Sequence, residues 1–218
     1  MKWLRNWLLL AMVVASCKNE GDPLSRINSK IQDKNTGAFQ KDLPKQYNDS
    51  SYYWKIIREM RSTTKLPSIE NGSKEFQIRI WEDVDERRHH LLFLLLHDSN
   101  TWVAKGCIYK VTPLGVGKAS LEGNLILLGE PKSGWIHFLS EILDKGIMDL
   151  RDESEIPGYR DATDLDVITV EIAAPKYYRY YELPGAYFQA KYVKDAKAMV
   201  DILELVKIEF PQLKKWAE

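Results

Sequence analysis

The sequence predicts an α+β fold, with a mostly antiparallel sheet of about five to six strands and helices packed on one face. Three observations carry this. Apolar or alternating runs follow one another through residues 76–128, and the turns between them are too short for the crossovers that parallel strands need. Segments around Trp135 and Met199 show helical spacing instead. Between those two helices lies a hairpin pattern at residues 167–182. Helices before, between and after runs of strands give an α+β order.

Each element has its own justification. Residues 52–61 place Tyr53, Ile56, Ile57 and Met60 at helical spacing, with Asp49, Ser50 and Ser51 as candidate N-caps. Pro67 and Asn71-Gly72 break the chain after it. In residues 76–81, Phe76, Ile78 and Ile80 alternate with Gln77, Arg79 and Trp81, the pattern of a half-buried strand. Residues 82–88 are charged and read as a solvated turn. HHLLFLLLH at 89–97 is apolar on both sides, which suits a central strand. Asp98-Ser99-Asn100 is a turn signal, and the β-branched and aromatic residues of 101–111 make the next strand. Gly115 and Gly117 form a loop, and 121–128 is a further strand.

Residues 133–145 form the clearest helix, with Trp135, Phe138, Leu139, Ile142 and Leu143 on one stripe. Ser133 is its expected N-cap, and Gly146 sits where a C-terminal cap belongs. A charged connection with Pro157-Gly158 follows at 149–166. VITVEIAA at 167–174 and YYRYYE at 177–182 face each other across Pro175-Lys176, and Pro184-Gly185 ends the pair. The last helix opens at Lys194 or Asp195, carries Met199, Ile202, Leu203 and Val206, and stops before Pro211.

The amino terminus has a different character. Lys2 and Arg5 precede an apolar run at 7–15, well short of the roughly 20 residues that span a bilayer. Val14, Ala15 and Ser16 then precede Cys17. This resembles the bacterial lipobox. The resemblance implies that residues 1–16 are a lipoprotein signal peptide and that the Cys17 thiol is diacylated after cleavage. It also implies a cell-envelope location, held at the outer membrane by a lipid anchor on its periplasmic face or at the cell surface. Two or more acyl chains, at about 0.8 kcal/mol per buried CH2, hold a protein there stably. Lys18, Glu20 and Asp22 resemble the charged export signals of some Bacteroidota lipoproteins. Residues 17–51 are polar and are expected to be the lipidated Cys and a flexible tether spanning roughly 30 Å, leaving 52–218 as a single α+β domain.

Composition narrows the function classes. Without Lys2 and Arg5 the chain has 29 basic against 31 acidic residues, a balance that argues against nucleic acid as a partner. Cys17 and Cys107 are the two cysteines, so lipidation of Cys17 leaves Cys107 without an internal disulfide partner. Its setting, VAKGCIYKV, marks a small buried hydrophobe. Arg79-Ile80-Trp81, Thr101-Trp102, Trp135, the strand at 167–174, the Lys-Tyr-Tyr-Arg-Tyr-Tyr run at 176–181 and Pro184 together resemble uncharacterised lipoproteins of Bacteroidota across residues 76–211. That resemblance implies no activity and transfers no site residue.

Candidate metal ligands are poorly placed. His89 and His90 point to opposite sides of a strand, and His97 lies about 27 Å from His89 at strand rise. His137 and Glu141 make a surface pair. Asp161, Asp164 and Asp166, with Glu153 and Glu155, lack the glycine and terminal glutamate of a calcium loop. No metal and no cofactor are expected. The candidate binding residues are Tyr177, Tyr178, Arg179, Tyr180 and Tyr181, since Tyr and Arg are enriched at binding hot spots. The competing reading is cross-strand packing. The expected function is therefore a lipid-anchored, non-enzymatic domain that binds a protein or glycan partner. A periplasmic inhibitor or immunity protein, and a hydrolase with dispersed carboxylates, are the alternatives.

Overall fold

Eight strands form one sheet in the order β1-β8-β7-β2-β3-β4-β5, with β6 beside β4, in a computed structural model that describes residues 22–32, 38–44, 52–83, 89–115, 118–160 and 166–216. The strands are β1 (Gln40–Asp42), β2 (Gln77–Asp83), β3 (His89–Asp98), β4 (Thr101–Gly115), β5 (Lys118–Gly123), β6 (Ile126–Leu127), β7 (Val167–Ala174) and β8 (Tyr177–Pro184). Every pairing is antiparallel except β1 with β8. The helices are α1 (Pro23–Gln32), α2 (Tyr52–Thr63), α3 (Trp135–Asp144), the short α4 (Ala186–Gln189) and α5 (Lys194–Glu209). Single 3-10 segments occupy Glu153–Glu155 and Pro211–Trp216. The α+β class stands, with more strands than expected. Among the described residues no helix is long and apolar enough to cross a membrane. The expectations for residues 1–21, for Cys17, for the caps at Asp49, Ser50 and Ser51, for the turn at 84–88, and for Gly117, Asp161 and Asp164 fall outside the described residues.

Side-chain alternation divides the sheet into two faces. On the first, Ile78, Ile80, Phe93, Leu95, Ile168, Val170 and Ile172 join Phe138, Leu139, Ile142, Met199, Leu203, Val206 and Phe210 in the main core. Phe138 and Phe210 meet edge to face, 5.3 Å between ring centroids. Helices α3 and α5 cover this face, as their apolar stripes predict. On the second face, Ile57 and Met60 of α2 pack on Trp81, Leu92, Cys107 and Tyr109. A smaller cluster joins Ile69 to Ala173, Tyr178 and Tyr180. Because α2 lies on this side, β2 is buried on both faces rather than half-buried: Arg79 and Trp81 are as inaccessible as Ile80. Glu82 likewise belongs to β2 and is buried, not part of a solvated turn.

The tether expected at 17–51 is corrected in two places. Residues 23–32 form α1, and residues 40–42 form β1. Average composition concealed this, because only two isoleucines one helical turn apart are needed to dock α1. Ile27 and Ile31 are both buried in the main core. Arg26 pairs with Asp144 of α3, and Lys30 with Asp149 just beyond it. β1 then adds to β8 in register Gln40↔Tyr177, and Gln40 N–H donates to Lys176 O at 2.9 Å.

The turns follow local chemistry. Ser99 (φ 47°) and Asn100 (φ 67°) both take left-handed backbone, as a two-residue hairpin turn between β3 and β4 requires. Gly146, φ 83°, ends α3 as expected. Ser133 does not cap α3. Gly134 holds the cap position, and the Ser133 backbone N–H donates to the Glu209 carboxylate at 2.8 Å, tying α3 to the end of α5. The strand expected at 121–128 divides into β5 and β6, which pair with different stretches of β4.

Candidate functional site

The tyrosine hairpin, a candidate binding surface weighed against cross-strand packing, is interior. Tyr177, Tyr178, Tyr180 and Tyr181 are each at most 3% exposed, and Arg179 is 7% exposed. β7 pairs along one edge and β1 along the Tyr177–Arg179 part of the other, while Tyr177 and Tyr181 pack in the main core and Tyr178 and Tyr180 pack with Ile69 on the opposite face. Tyr181 donates to Ile147 O at 3.0 Å, and Arg179 donates to Leu150 O at 2.5 Å and to Met148 O. Arg179 also approaches Asp42 of β1 at 3.4 Å. Arg179 and Tyr181 fasten β8 to the loop after α3, and Tyr177 to Arg179 pair with β1. Burial pushes the Tyr177 hydroxyl up to about 12 and raises Tyr180 and Tyr181 further.

A polar cluster that sequence reading missed lies on the second face. Arg79 and Glu171 sit opposite each other in the β2–β7 register. Above them Arg61 of α2 approaches Glu171 through two nitrogens, one of them at 3.4 Å, and donates to Glu70 at 2.6 Å. Trp81 Nε1–H donates to Glu171 Oε2 at 3.0 Å, and Tyr178 O–H donates to Glu171 Oε1 at 2.9 Å. Arg79 donates to Gln77 Oε1 at 3.1 Å and to Pro67 O at 2.9 Å, while its buried Nη1 has no hydrogen-bond partner among the described residues. Burial opposes the charge of Arg61, yet Glu171, Tyr178 and Glu70 outweigh it and raise its pKa. For Arg79 burial wins and the pKa falls, despite Glu171. For Glu70 burial works upward, but Arg61 and Arg58 hold its pKa below the ordinary value. Glu171, a charge within the otherwise apolar VITVEIAA run, is the available signal, while Arg79 sits where a half-buried strand would place a solvated residue. Nothing in the spacing named Arg61 as the third member.

Two further groups combine acids with hydroxyls. Tyr187 of α4 donates to the buried Glu82, and Lys207 of α5 donates to Glu82 at 3.0 Å and to the Tyr187 oxygen at 3.2 Å. Burial, followed by the Glu82 charge, raises the Tyr187 pKa, so this hydroxyl keeps its proton. Glu182 accepts from Tyr180 O–H at 2.7 Å. Its backbone N–H donates to Asp152, whose other oxygen holds Ser154 N–H at 3.0 Å. Burial lifts the Glu182 carboxyl to about 7, and the Asp152 charge adds to the effect, against the Tyr180 bond.

The remaining candidates are structural or superficial. Cys107 is fully buried, and burial pushes its thiol up to about 11. His137 and Glu141 form an exposed pair at 3.4 Å. His89 and His97 occupy opposite ends of β3. Among the described residues no three His, Cys, Asp or Glu side chains converge as a metal site. Exposed aromatics lie elsewhere: besides Phe39, Tyr192 (69%) and Phe188 (43%) pack together at 5.9 Å, and the Arg160 guanidinium lies 5.8 Å from the Tyr192 ring. No protein family, no curated protein and no solved structure matches this chain.

Proposed function

We propose that this chain is a lipid-anchored cell-envelope protein whose folded domain binds a partner. The run ending Val14-Ala15-Ser16-Cys17 is the observation that carries the anchor. The interior supports a non-enzymatic reading. The Arg61–Glu171 cluster is closed beneath α2, and the tyrosine hydroxyls of β8 and α4 stay protonated. With the hairpin buried, the surface suited to recognition is the Phe188–Tyr192 pair with Arg160, which offers exposed aromatic rings and a guanidinium to a protein partner. Two measurements test this. Labelled palmitate should enter the wild-type chain and not Cys17→Ala, and only the former should sediment with membranes. Affinity capture on intact cells should recover a specific protein that Tyr192→Ala loses. Recovery of a periplasmic hydrolase or toxin would narrow the role to an inhibitor or immunity protein. Recovery of a glycan alone would overturn the choice of a protein partner.

One observation favours a hydrolase as the second reading. Glu182, with a carboxyl near 7 and Asp152 beside it, has the protonation a general acid needs at neutral pH. Turnover of a glycan or ester substrate that is abolished by Glu182→Gln, in a protein of unchanged stability, would establish it.

A further inference from the structure

We infer that the domain rests flush on the phospholipid surface, with the first turns of α1 against the headgroups, and is not held clear of the membrane. This rests on the reading that Cys17 carries the lipid. From Cys17 to Pro23, the first residue of α1, is six residues. Even fully extended they reach about 20 Å at 3.3–3.6 Å each. The described domain, at its size, has a radius of gyration of about 16 Å. A leash shorter than the domain is wide leaves no room for a water layer of domain size beneath it.

The leash does not lengthen by peeling α1 away. Ile27 and Ile31 are buried in the main core, and Arg26–Asp144 and Lys30–Asp149 bind the same helix to α3 and the loop after it. Releasing α1 exposes two isoleucines and separates both pairs. Downstream, Gln40 to Asp42 are fixed again as β1. A chain unconstrained to Tyr52 would instead have a contour of about 115 Å.

The chemistry of the contact follows from what α1 presents. Asp22, Ser25, Asn28 and Ser29 are exposed, and Leu24 is half-buried. The two cations of α1 are already matched by Asp144 and Asp149. The surface is polar and, through Asp22, weakly acidic, so it suits contact with headgroups without selecting anionic lipid. The acyl chains supply the affinity and the short leash supplies the orientation.

The experiment uses the full acylated chain extracted from bacterial membranes and placed in vesicles of phosphatidylethanolamine and phosphatidylglycerol. A donor fluorophore is attached at Asn28→Cys, since the buried Cys107 thiol is protected. An acceptor is carried on the lipid headgroups. A second protein is identical but has twenty Gly and Ser residues inserted after Lys18, adding roughly 25 Å of root-mean-square reach. The expected result is loss of most donor emission in the first protein, recovery in the second, and no change when phosphatidylglycerol is replaced by phosphatidylcholine. Equal donor emission from the two proteins would overturn the flush placement while leaving the anchor intact. Absence of acyl groups on Cys17, read from the mass of the extracted protein, would overturn both the anchor and the placement.

Discussion

The two faces of the sheet are built by different physics. The first is hydrocarbon from Ile80 through Val170 to Leu203, and its stabilisation is spread over many small contacts. The second gathers Arg61, Arg79, Glu70, Glu171, Trp81 and Tyr178 into a few directed bonds beneath α2. Distributed burial fails gradually when one group is trimmed. A buried ionic group fails abruptly, because removing one member leaves its partners charged and dry. The difference teaches that a core can be insensitive on one side of a strand and intolerant on the other, one residue apart.

The largest break in this contrast should come from Glu171→Ala. It leaves Arg61 with Glu70 as its acidic partner among the described residues, takes the opposite charge away from Arg79 and removes the acceptor of Trp81 and Tyr178, at about 3–5 kcal/mol in urea unfolding. A loss below about 1 kcal/mol would show that the second face is also distributed. Next comes pH. The Glu182 carboxyl, raised to about 7, binds a proton that the unfolded chain has already released, so stability falls as pH rises from about 4.5 to about 7 and stays lost above. By linkage that is at most about 3 kcal/mol, and Glu182→Gln should flatten this segment of a stability-versus-pH curve. If the slope persists in the variant, another group on the sheet titrates instead. Trp81→Phe keeps one aromatic ring, removes the donor to a charged acceptor and trims buried carbons, for about 1.5–3 kcal/mol from the lost bond and a further cost from the cavity. On the other side of the same strand, Ile80→Val should cost only about 0.5–1.5 kcal/mol. Comparing the chemical denaturation midpoints of these neighbours sharpens the contrast within one element. The smallest effect is Lys197→Ala, which removes an exposed bridge to Asp201 of the same helix and should shift stability by no more than about 0.5 kcal/mol.

The same contrast explains what the sequence made legible. Periodicity revealed α2, α3, α5 and the hairpin of β7 and β8, because repeating apolar positions are local information. The turn at Ser99-Asn100 and the end of α3 at Gly146 were equally local. The polar cluster was not, since Arg61 and Glu171 are 110 positions apart and neither carries a mark of the other. For the tyrosines of β8 the sequence leaves a binding face and cross-strand packing both open, because YYRYYE cannot report that β1 pairs with Tyr177–Arg179. Residues 23–42 were read as tether because their average hydropathy outweighed Ile27 and Ile31. In each case the missing information was the identity of a distant partner.

The placement of α1 and β1 also sets an order of events as the chain is made. Arg26 waits for Asp144, 118 positions later, and Lys30 waits for Asp149. β1 waits longer still, for Tyr177 and Arg179. Arg26, Lys30 and β1 thus emerge from the ribosome well before the residues they pair with, and such long loop closures are slow. Until the chain reaches Asp149 α1 lacks its ion-pair partners, and until β8 exists β1 has no strand to join. A nascent chain of this design remains open at its leading end, the condition in which a polypeptide can be threaded through a narrow channel.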